Sequence, residues 1–89
     1  MLNHPADKIR ETFREYVASK VTIPTDAIML ETTLIRDGMY CGRRFALEGY
    51  CIVYFAEEKQ IKLYGPTGKV EFSSPLAAFL SPPSQSIAA

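Results

Sequence analysis

The chain has 89 residues, of which 47% are hydrophobic and 22% charged. That composition fits a folded chain with one modest core and excludes a disordered one. Ten basic side chains balance ten acidic ones, which argues against a dedicated nucleic-acid binder that relies on overall phosphate attraction.

In chain order, residues 1–8 hold no apolar stretch of the signal-peptide type. Pro5 to about Ser19 then predicts an amphipathic helix. Ile9, Phe13, Tyr16 and Val17 form one stripe at helical period, and Lys8, Arg10, Glu11, Arg14 and Glu15 take the other side. Pro5 suits the first helical position, where its missing N–H costs nothing, and Asp7 favours the first turn. Val21 to Asp26 reads as a connector, because Pro24 disfavours a helical Ile23.

From Ile28 to Phe72 the sequence predicts five strands separated by four compact turns. Asp37-Gly38 is a strong two-residue hairpin signal and Glu48-Gly49 a weaker one. Glu58-Lys59 is a third turn, and Gly65-Pro66-Thr67-Gly68 a four-residue loop. With these loops, Leu34 opposes Cys41, Leu47 opposes Tyr50, Ala56 opposes Ile61 and Leu63 opposes Val70. Opposed residues share a face. One face then carries Ile28, Leu30, Thr32, Leu34, Met39, Cys41, Arg43, Phe45, Leu47, Tyr50, Ile52, Tyr54, Ala56, Ile61, Leu63, Val70 and Phe72. It is nearly all apolar, and the helix is its natural lid. The other face is mixed, with an apolar and aromatic centre at Ile35, Tyr40, Val53, Phe55 and Tyr64. After Phe72, Ser74 and Pro75 predict the start of a short helix with Leu76, Phe79 and Leu80 on one side. Residues 81–89 read as a mobile tail.

The fold expectation is therefore α+β: one domain over residues 1–80, an N-terminal helix on one face of a five-stranded antiparallel meander, and a short C-terminal helix. The element order also fits a strongly curved small barrel of the Sm or SH3 type, although the strands match no Sm motif, and order alone licenses no function.

Little chemistry is legible. One histidine, His4, and two separated cysteines, Cys41 and Cys51, do not make a zinc ligand set. A Cys–His nucleophile would need His4 to fold back over the sheet, and a cysteine on an apolar face behaves as an inert small hydrophobe. No cofactor is implied. The thiols read as reduced, and with no segment long enough to span a bilayer the expectation is a cytoplasmic location without membrane contact. Arg43 breaks the pattern as a cation in mid-strand on the apolar face. A buried arginine needs a partner. Thr32 and Tyr54 are the expected flanking residues, with Glu11 or Glu15 as the carboxylate, and a ligand site there is one candidate function.

The leading reading is a non-enzymatic protein-interaction module acting as a homodimer or binding another protein. Its candidate surface is Tyr40, Arg44, Val53, Phe55, Tyr64, Leu76, Phe79 and Leu80. The same aromatic and basic mixture, with Arg36 and Lys62, makes single-stranded nucleic-acid binding the alternative.

Overall fold

The structure is a computed structural model that describes residues 5–80; His4 and the expected tail over 81–89 lie outside them. Helix α1 (Pro5–Lys20) is followed by strands β1 (Leu30–Arg36), β2 (Met39–Leu47), β3 (Tyr50–Phe55), β4 (Gln60–Tyr64) and β5 (Val70–Pro75), then helix α2 (Leu76–Leu80). The strands form an antiparallel meander in the order β1-β2-β3-β4-β5. The sheet is open, and the barrel alternative is not seen. The architecture is α+β.

The turn chemistry dictates the hairpins. Asp37 and Gly38 both have positive φ (53° and 75°), as do Glu48 and Gly49 (50° and 88°), the backbone of type I′ turns. The third turn is longer than its sequence suggests. Phe55 pairs with Gln60 and Tyr54 with Ile61, so four residues bridge the strands. The shift from the expected register is two residues, and because strand faces alternate with period two it leaves every face unchanged.

In β1 the shift is one residue, with the opposite consequence. Arg36 pairs with Met39 and Ile35 with Tyr40, but Leu34 then pairs with Gly42, skipping Cys41. This bulge turns the rest of β1 over. Ala27 and Met29 pack against the core, whereas Ile28 and Leu30, expected there, are 77% and 64% exposed. Gly42 permits the arrangement, since a Cβ at that position would stand 2.0 Å from the Tyr54 carbonyl oxygen. A second irregularity, between Leu63 and Tyr64, sets Phe72 opposite Leu63 and leaves Val70 opposite Tyr64 and exposed.

The core lies between α1 and one sheet face. Ile9, Phe13 and Val17 meet Phe45, Ile52, Ile61 and Leu63, all fully buried. Helix α2 packs on this same side. Phe79 lies 6.0 Å from Phe72, which lies 5.7 Å from Tyr16 in an edge-on contact. Leu76, Phe79 and Leu80 thus complete the core's margin rather than form an outward surface. Pro75 closes β5 instead of opening the helix, and the Ser74 hydroxyl donates to the Pro75 carbonyl.

Truncating Phe13 or Phe45 to alanine is expected to cost about 3–5 kcal/mol, and Gly42→Ala about 1–3 kcal/mol through overpacking against β3. Leu30→Ala should stay within about 0.5 kcal/mol, as for other exposed sites. Urea denaturation of the four variants checks the set.

Candidate functional site

The bulge decides what surrounds Arg43. On β2, Arg43 and Phe45 face the helix, and the cross-strand neighbours of this pair on β1 are Thr33 and Glu31. Thr32, the expected neighbour, pairs with Arg44 on the other face. Tyr54 does flank Arg43, from β3. The carboxylate that answers Arg43 is Glu31, not Glu11 or Glu15. Arg43 Nη1 donates to Glu31 Oε1 at 3.4 Å, and Arg10 Nε, from α1, donates to Glu31 Oε2. Arg10 Nη1 also donates to Asp7 Oδ1 at 2.8 Å. One carboxylate therefore ties the helix to two strands.

This cluster is charge-balanced and partly wet, with the Arg43 and Glu31 side chains 26% and 25% exposed. Arg43 Nε is buried with no hydrogen-bond partner among the described residues. The surface grooves described below are lined by other residues. The Arg10 hydrogen bond, ahead of any other effect, holds the Glu31 carboxyl below its ordinary value of 4.5. A second tie joins α1 to β5, where the Tyr16 hydroxyl donates to Glu71 Oε1 at 2.6 Å. Burial and then this acceptor push the Tyr16 phenol up to about 12.

The opposite sheet face is the larger candidate surface. Its strand positions are Leu30, Thr32 and Leu34; Gly42, Arg44 and Ala46; Cys51, Val53 and Phe55; Gln60, Lys62 and Tyr64; and Val70, Ser73 and Pro75. Neither helix covers it. Among these positions the charged residues are Arg44 and Lys62, both cationic. Lys62 Nζ stands 5.9 Å from the centre of the Phe55 ring. A groove of about 440 Å³ runs between Arg44, Cys51, Val53 and Tyr64 and the loop at Gly65, Pro66 and Gly68. A second, of about 310 Å³, continues past Arg44 and Cys51 to Ile28 and Leu30. Burial, partly offset by Arg44, pushes the Cys51 thiol up, which disfavours the thiolate a nucleophile needs.

Tyr40, expected on this face, stands beyond the bulge. It is close enough to Tyr54 to add to the upward shift of that core phenol, which comes first from burial. The structure thus brings Arg44, Val53, Phe55 and Tyr64 together, and separates from them Tyr40, Leu76, Phe79 and Leu80. Sequence reasoning missed Glu31, although an acid at the start of β1 and an arginine in mid-β2 were the available signal. Among the described residues no cluster of metal-ligating side chains occurs and no helix is long and apolar enough to cross a membrane. No protein-family model, curated protein or solved structure matches the chain.

The Glu31 contribution to stability follows from linkage. A carboxyl with a lowered folded-state pKa stabilises above its unfolded value, and that stabilisation is lost as pH falls through the folded pKa. Wild type should therefore lose stability below about pH 4.5 more steeply than Glu31→Gln. Arg43→Met, which leaves Glu31 its Arg10 partner, should change stability by less than about 1 kcal/mol at neutral pH. Chemical denaturation across an acid pH series measures both.

Proposed function

We propose that this chain is a non-enzymatic protein-interaction module that docks a partner segment across its uncovered sheet face. Strand β3 carries the reading. Its six residues, Tyr50-Cys51-Ile52-Val53-Tyr54-Phe55, are apolar on both sides, the pattern of strands covered on both faces. Tyr50, Ile52 and Tyr54 have their cover, while Cys51, Val53 and Phe55 are only half-buried. Contiguous apolar surface of this kind marks interaction sites.

Charge selects the partner's chemistry. Arg44 and Lys62 lie amid apolar side chains with no carboxylate at the strand positions of this face, so the complementary segment carries acidic groups between apolar ones. The grooves on either side of Arg44 suit an extended chain with alternating side chains. The same cations, with Phe55 and Tyr64, favour single-stranded nucleic acid as the second reading. Lys62 already stands over the Phe55 ring, the surface on which a base would stack, and so the protein reading leads.

Fluorescence anisotropy separates the two, with a labelled peptide of alternating leucine and glutamate and a labelled oligo-dT as probes. The peptide should bind saturably, and Arg44→Glu should weaken it by about tenfold or more, a loss of about 1.4 kcal/mol, without lowering the melting temperature. Tighter binding of oligo-dT than of the peptide, or peptide binding indifferent to Arg44→Glu, would overturn the protein reading.

A further inference from the structure

We propose that two copies of this chain associate through β1, pairing antiparallel across a two-fold axis at Thr32 to form one ten-stranded sheet. The site is the β1 edge, which borders the docking face at Leu30, Thr32 and Leu34, and follows from the difference between the two sheet edges. The β5 edge is blunted. Its ladder is broken between Leu63 and Tyr64, Pro75 has no N–H to offer, and helix α2 follows it directly. The β1 edge is bare. Leu30–Arg36 pairs on one side only, carries no proline and no lysine, and exposes Leu30 and Ile35. Its one acid, Glu31, is drawn toward the helix side by Arg10 and Arg43. Unpaired strands of this length are usually protected by charge, proline or bulges, and here that protection is limited to Arg36 at the end of the strand and the inward-turned Glu31.

Charge argues for a second copy at the edge rather than on the face. Two copies stacked face to face would bring together two faces whose strand positions carry Arg44 and Lys62 and no carboxylate, with Glu48 only at the groove's end, a like-charge juxtaposition that opposes association. Edge pairing leaves those cations apart. The register is also selected. A two-fold at Glu31 sets that carboxylate opposite its own copy, and a two-fold at Thr33 sets Leu30 against the second copy's Arg36. A two-fold at Thr32 matches Leu30 with the second copy's Leu34, twice, and threonine with threonine. Because the other edge is blunted, the pairing closes at two copies instead of propagating. The dimer doubles the open face into one continuous surface.

Sedimentation equilibrium over a concentration series tests this with the wild type, Thr32→Lys and Thr32→Glu. The expected result is a wild-type dimer that Thr32→Lys weakens about fivefold or more, because like charges then face each other across the axis. An equimolar mixture of Thr32→Lys and Thr32→Glu should restore dimerisation, which a folding defect could not do. A wild type that stays monomeric throughout overturns the proposal. So does a dimer that is indifferent to Thr32→Lys, or a mixture that fails to recover. Peptide binding on the open face is read separately through Arg44→Glu, so either idea can fail without the other.

Discussion

The one-residue step in the β1–β2 ladder, where Leu34 meets Gly42 and Cys41 is left over, is the constraint on which the rest of this structure depends. Turning β1 over moves Glu31 onto the helix side, where it receives both Arg10 and Arg43. Without that carboxylate, Arg43 would be a cation on the core face with no partner, a costly arrangement. The same step sends Leu30 and Leu34 to the opposite face. The charge of one arginine and the missing side chain of one glycine together go with the choice of which β1 residues turn to the helix side and which to the open face.

The sheet is consequently two-sided in an unusual sense. One face holds a dry core of aliphatic and aromatic side chains closed by α1 and, at its margin, by α2. The Tyr16–Glu71 hydrogen bond and the Arg10–Glu31 pair pin α1 at opposite edges of the sheet, to β5 and β1. The other face has neither helix over it, yet its centre at Cys51, Val53 and Phe55 is apolar. The two cations set into that apolar ground give it a sign, which bears on what can dock there. The bare β1 edge and the blunted β5 edge add a direction. Growth of the sheet is open on one side and closed on the other.

Much of the fold could be read from residue types alone. The helix from Pro5, the five strands and the two type I′ hairpins follow from local rules: a helical apolar stripe, alternation at period two, and glycine or an acidic residue where φ must be positive. These signals act over a few residues and do not depend on distant parts of the chain. The two-residue misplacement of the third turn was harmless for the same reason, since period-two alternation survives an even shift. Half of the candidate face was legible as well, because Arg44, Val53, Phe55 and Tyr64 lie on β2, β3 and β4, whose registers with one another changed by nothing or by two.

Tertiary structure decided the rest. In β1 the two possible faces, Leu30-Thr32-Leu34 and Glu31-Thr33-Ile35, are close in sequence character, and the more apolar set was the natural choice for the core. Instead the other set turns to the helix side without being buried, where Arg43 and Arg10, one from a neighbouring strand and one from the helix, both reach the Glu31 carboxylate, and where β3 approaches Gly42 too closely for any Cβ. Likewise the side chosen by Leu76, Phe79 and Leu80 was set by contact with Phe72 and its neighbour Tyr16, at distances in sequence that no local pattern encodes. The amino-acid order by itself determined the elements and their turns. Which face of the first strand turns toward the helix, and therefore which of its residues lie on the face the helices leave open, was decided by charges and backbones that meet only in the folded chain.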